Sequence, residues 1–103
     1  MKATINSKTY NTETAEELAC DSWSGSSSDF QHWHETLYRT AKGAHFLQGY
    51  GGPLSKYAES FGNERSGGSA IVPMTKEEAL QWCEKHACQD VIDENFADII
   101  EEA

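Results

Sequence analysis

Cations are scarce in this chain: eight Lys and Arg stand against 17 Asp and Glu, for a formal net charge of −9. A field of that sign repels nucleic acid and anionic membranes and favours basic protein surfaces, so no direct nucleic-acid or membrane binding is expected. Long apolar runs are missing too. No stretch approaches the roughly 20 residues of a membrane-spanning helix. The start, MKATINSKTY, lacks the apolar core of a secretory signal. Three cysteines are an odd number, so reduced thiols in the cytoplasm are expected rather than a disulfide framework. Catalytic signatures are equally thin. There is no G-x-S-x-G, no H-E-x-x-H and no serine visibly teamed with a base, so neither an enzyme nor a cofactor is expected.

What is present suffices for one small domain of 103 residues. KATINSKTY alternates apolar and polar residues and predicts a first strand. TAEELACDSW offers a short helix, with Thr14 and Glu17 as its capping box. SGSSSD at 24–29 has no apolar anchor and reads as a connector. Aromatic and β-branched residues flank Ala41-Lys42-Gly43, predicting a central β-hairpin over about 30–50, with Tyr38 opposite Phe46 and Leu37 opposite Leu47. LSKYAESF suggests a helical turn or two, and GNERSGGS another loop. AIVPM predicts an edge strand, because Pro73 cannot donate to a central ladder. Thr75 and Glu78 form a second capping box, opening a helix to about His86 with Ala79, Leu80, Cys83 and Ala87 on one face. A last helix follows, with Ile92, Phe96, Ile99 and Ile100 at the spacing of a buried stripe. The expected class is α+β, a small antiparallel sheet packed by short helices, with the acidic helices C-terminal.

The acidity is concentrated. Residues 75–103 hold nine acids against two lysines, and residues 1–74 hold eight acids against six bases. At about 100° per residue, Asp90, Glu94, Asp98 and Glu101 fall within roughly 80° of one another. Four residues of helix rise about 6 Å, close to two base steps of about 3.4 Å along a DNA strand. Glu84, Asp93 and Glu102 extend the same acidic region. Like charges at i,i+4 weaken a helix, and Glu101 and Glu102 oppose the helix dipole. A stability-only sequence places Lys there. The plain alternative is a solvated outer face.

Other constellations point less far. Cys83-x-x-His86-x-Cys88, with Cys20 or another His as a fourth group, supplies only half of a paired zinc spacing. Cys83 also lies on the apolar face of its helix, so no metal is expected. His32 and His34 flank Trp33 on one strand face near Tyr50, a candidate ligand or pH-sensitive patch. Gly49-x-Gly51-Gly52 lacks the Lys-Ser/Thr of a phosphate loop and reads as a turn. Arg39 and Lys42, beside Tyr38 and Phe46, could hold a single phosphate.

The segments TYNTETAEELA, ETLYRTAKGAHFLQGYGGPLSKYAESFGN and GGSAIVPMTKEEALQWCEKH together resemble a family of small acidic proteins carried by bacteria, phages and other mobile elements. The resemblance spans most of 8–86 and brings no catalytic residues with it. The tail beyond about residue 88 has no counterpart in it. It implies a context, a mobile-element protein acting inside a bacterial cell. Two readings follow. One is an anti-CRISPR-type inhibitor whose acid stripe mimics DNA and binds the basic groove of a Cas effector. The other is a regulatory or adaptor protein that docks a host protein through Tyr38, Phe46, Tyr50, His32 and His34, with the acids only solvating it. An enzyme would need a concave pocket lined by histidines.

Overall fold

The computed structural model describes residues 1–23, 32–53, 55–61 and 64–101. The expected connector at 24–29 and Glu102 lie outside them. In chain order the elements are β1 (Lys2–Ile5), β2 (Lys8–Asn11), β3 (Glu16–Trp23), β4 (Trp33–Arg39), β5 (His45–Gly51), β6 (Glu59–Phe61), β7 (Glu64–Ser66), β8 (Gly68–Met74), α1 (Lys76–Lys85) and α2 (Gln89–Asn95), followed by a 3-10 turn at Ala97–Ile99. Strands β3, β4, β5 and β8 form an antiparallel sheet in that order, and β1–β2 and β6–β7 are separate hairpins. This is the expected α+β arrangement.

The central hairpin has the anticipated register, with Leu37 paired to Leu47 and Tyr38 to Phe46. Gly43 closes it at φ 90°, a left-handed conformation that glycine adopts without a Cβ clash. Strand β8 lies at the sheet edge, where Pro73 is tolerated. At Thr75 the capping box is complete: its side chain accepts from Glu78 N–H at 3.1 Å, and Glu78 Oε1 accepts from Thr75 N–H at 2.9 Å.

Several local expectations give way to longer-range pairing. The single strand over 2–10 is two, because Asn6 and Ser7 take φ of 52° and 65° and turn the chain, the two-residue hairpin geometry. The helix expected at 14–23 is β3. Thr14 caps no helix; its hydroxyl and N–H both bond to Asn11 O within a turn. The following residues pair with β4 from Glu16↔Arg39 to Trp23↔Trp33. That ladder outweighs a weak helical propensity. A bulge between Glu17 and Ala19 breaks the alternation, and Leu18 and Ala19 both pack on the core. The helical turns expected after Pro53 are instead tight turns, with Ser55 N–H bonded to Gly52 O and Ala58 N–H to Ser55 O, followed by β6 within the segment expected to be helical and β7 where a loop was expected.

One face of the sheet carries the core. Leu37 and Leu47 meet Ala79, Trp82 and Cys83 from α1 and Ile92 and Phe96 from the C-terminal segment. Ala87 is not part of that face. It lies beyond α1 at φ 55° and is exposed. On the opposite face β1–β2 covers the turn end of the hairpin, with the Tyr10 ring 5.5 Å from Phe46.

Candidate functional site

The alternation of β4 places Trp33, Glu35 and Leu37 on the helix-facing side of the sheet. Leu37 enters the core, and the other two line an open cleft of about 480 Å³ with Trp23, Ser55, Lys56, Lys85 and His86. Its centre is Glu35, 1% exposed. A buried carboxylate needs compensation, and three donors supply it. Tyr57 donates its hydroxyl proton to Oε2, Lys56 Nζ lies 2.8 Å from Oε2, and Trp82 Nε1 donates to Oε1 at 3.2 Å. Burial alone would raise the Glu35 carboxyl; the bonds from Lys56, Tyr57 and Trp82 together hold it below its ordinary value. Burial, then the Glu35 bond, pushes the Tyr57 phenol far upward, so it remains a donor.

Gly49 makes this geometry possible. It pairs with Glu35 across the β4–β5 ladder, and a Cβ there would occupy the position of the Tyr57 ring. Gly49 therefore makes room for a phenol, and Gly51 for the Ser55 side chain and the His32 carbonyl.

His86, the C-cap of α1, forms the second half of the cleft. Its Nδ1 lies 2.5 Å from Asp21 Oδ2 on β3, and its Nε2 lies 4.0 Å from Glu35 Oε1. The His86 hydrogen bond is the main reason the Asp21 carboxyl lies below its ordinary value. The imidazole is flanked by Trp82 at 4.3 Å and Trp33 at 5.7 Å. All three tryptophans of the chain thus gather at one cleft.

The acidic region takes a different form from a single stripe. Asn95 ends α2, where its side-chain amide donates to Val91 O and accepts from Arg39 Nη1. Phe96 then inserts into the core, and the chain tightens into the 3-10 turn. Asp90, Asp93 and Glu94 are exposed on α2, Glu84 is exposed on α1, and Asp98 and Glu101 lie past the helix end, also exposed. Asp98 turns back to Lys76 Nζ at 2.6 Å, a bond that lowers its pKa. A continuous helix bearing Asp90, Glu94, Asp98 and Glu101 on one face is therefore not what forms.

The aromatic hairpin divides likewise. Phe46 is 0% exposed, stacked on half-buried Tyr38 at 5.1 Å beneath β1–β2, so it is core and not contact surface. Tyr50 is 46% exposed and stacks on His34 at 5.3 Å, while His34 Nε2 reaches Thr36 Oγ1 at 3.2 Å. His32 is exposed. Arg39 is bonded to Glu16 and Asn95, not poised beside Phe46 for a phosphate.

Among the described residues no group of three or more His, Cys, Asp or Glu is placed to hold a metal ion. Cys83 is buried, its thiol pushed up to about 11 by burial and by Cys88; His86 is turned to Asp21, and Cys20 lies exposed on β3. No helix among the described residues is long and apolar enough to cross a membrane.

The sequence did not single out Glu35, Lys56, Tyr57 or Asp21. The usable signal was the period of two in WHETLYR, which sets Glu35 on the same face as Leu37 and so makes it a buried acid. The partners of that acid come from residues 56, 57, 82 and 86, with Asp21 reaching the site only through His86, and no local pattern links them. No family model matches the chain, and neither a curated protein nor a solved structure matches it.

Proposed function

We propose that this chain is an inhibitor of the anti-CRISPR type, which lays its acidic C-terminal face on the basic nucleic-acid groove of a Cas effector in a bacterial cytoplasm. The observation that carries the reading is how few cations answer the acids. Of the two lysines in the C-terminal module, Lys76 is bonded to Asp98 and Lys85 lines the Glu35 cleft. Among the described residues Glu84, Asp90, Asp93, Glu94 and Glu101 make no ion pair and are exposed.

Within α2, Asp90 and Glu94 keep the one-turn separation of about 6 Å, still near two base steps. The region presents a short acidic patch on two helices, continued by Glu101, in place of one long ladder. Such a patch speeds encounter with a basic groove and makes binding depend on salt. The resemblance to small acidic mobile-element proteins supports the cellular setting.

The test is retention of partners from a bacterial lysate at about 0.1 M and about 0.5 M salt, across which the screening length falls well below about 10 Å. A nucleic-acid-handling effector held at low salt, released at high salt and lost by Asp90→Asn/Asp93→Asn/Glu94→Gln/Glu101→Gln is the expected result. Inhibition of the effector unchanged by those four substitutions sinks the reading.

One observation favours a second reading, docking of a host protein on the outer sheet face: Tyr50 stands 46% exposed against His34. A salt-resistant complex abolished by Tyr50→Ala would select it, since exposed tyrosines make hot spots where a partner desolvates them.

A further inference from the structure

We infer that the Glu35 cleft is a receptor for a cationic side chain of a partner protein, arginine above all, and that the chain's own Lys56 occupies it when no partner is present. This does not depend on the acidic helical face, because the cleft is built from β3, β4, the turn after β5 and the end of α1.

The cleft already holds an alkylammonium. Lys56 Nζ lies 2.8 Å from Glu35 and 5.6 Å from the ring centroids of both Trp33 and Tyr57. A carboxylate floor with aromatic faces at that range is the chemistry that recognises organic cations. Glu35 is held ready for it: buried, ionised and fixed by Tyr57 and Trp82.

Lys56 is an exchangeable occupant. Its side chain is 57% exposed and has a path to solvent, whereas Glu35 is 1% exposed and as a buried charge requires a cation in its place. The cleft of about 480 Å³ lies open beside it, within the roughly 300–1,000 Å³ of ligand sites. Trp23, 44% exposed, stands at the lip opposite Trp33 in the β3–β4 register. Guanidinium suits this frame better than ammonium, since its plane stacks on indole while its fork meets a carboxylate.

The charges facing the cleft allow such a guest. Lys85 opposes a cation, and Asp21 beside His86 offsets it. Once Lys56 swings out, Glu35 is a buried acid without a cation, and an arriving arginine restores the balance. A partner with a basic surface is also the kind that a chain of net charge −9 attracts.

Because all three tryptophans lie at the cleft, intrinsic fluorescence reads occupancy directly. The probes are N-acetyl-arginine amide and its neutral isostere N-acetyl-citrulline amide, titrated at matched ionic strength. The expected result is a saturable shift with arginine and none with citrulline, tightened about tenfold, or about 1.4 kcal/mol, in Lys56→Met, where the competing cation is gone. Trp23→Ala, at an exposed position, should weaken the arginine response while leaving the far-ultraviolet circular dichroism of the fold unchanged. The acidic-face variant should bind the probe as wild type does, which keeps this test separate from that of the inhibitor. Equal responses to arginine and citrulline, or no saturable response in a folded Lys56→Met protein, overturn the proposal and leave Lys56–Glu35 a structural ion pair.

Discussion

His45 is the described residue whose buried polar side-chain atom lacks any hydrogen-bond partner: its Nε2 is unpaired while the ring packs 5.5 Å from Phe96. Burial, then the charges of Arg39 and Lys76, lowers its pKa from the ordinary value. The folded ring is therefore neutral, with a sharp consequence for stability. Above about pH 6.5 the imidazole is neutral whether the chain is folded or not, and the contribution is full. Below that the unfolded chain takes up a proton that the folded chain resists, so stability falls as the pH drops toward the folded-state pKa. Each unit of that depression is worth about 1.4 kcal/mol. His45→Leu should flatten the fall in the urea midpoint between pH 7 and pH 5 relative to wild type. An unchanged slope would place the acid sensitivity at another group. Glu35 runs in the same direction by the opposite chemistry, since its lowered pKa adds stability that is lost only in stronger acid.

At the scale of elements, α1 is the best-defined piece, and its cap is separable from everything else it does. Thr75→Ala removes the acceptor for Glu78 N–H and should cost about 1 kcal/mol, a fall in Tm of about 4–8 °C for a domain of this size. Differential scanning calorimetry measures it, and a drop under a degree would mean the first turn is held by packing alone. That cap was legible because both partners lie within four residues. So was the β4–β5 register, fixed by one glycine turn and alternating aromatics, and the edge position of Pro73. Strand β3 was not. EELACDSW carries good helix formers, and what makes it a strand is its pairing with β4, which begins ten positions after β3 ends. The end of α2 was hidden for a similar reason: Asn95 is held by Arg39, 56 positions earlier. The candidate site failed at the same point. Glu35 could be placed on the buried face from its own strand, but Lys56, Tyr57, Trp82 and His86 reach it only through the tertiary fold.

For the whole molecule, the charge ledger and the ion pairs do not balance. Seventeen acids face eight Lys and Arg, and two of the described ion pairs, Arg39–Glu16 and Lys76–Asp98, join surface side chains. Such pairs contribute little each, whereas the surplus negative charge repels itself throughout the folded state. Raising salt from about 0.01 M to about 0.1 M shortens the screening length from about 30 Å to about 10 Å and should therefore stabilise the fold. The urea midpoint at neutral pH should rise over that range. A fall would mean that the few pairs outweigh the repulsion. This response belongs to the free protein and has the opposite sign to that expected of its complex with a basic partner.

Lys56 also has a mechanical position. It stands in the turn between β5 and β6, flanked by Ser55, bonded to Gly52 O, and Tyr57, bonded to Glu35. Three consecutive residues thus moor the excursion that carries the β6–β7 hairpin, and only the middle mooring is exposed enough to slip. Whatever draws that ammonium away slackens the rope on one side, and the hairpin becomes a remote gauge. Amide exchange along Glu64–Ser66 should quicken when the cleft changes its guest, although the hairpin need not touch that guest.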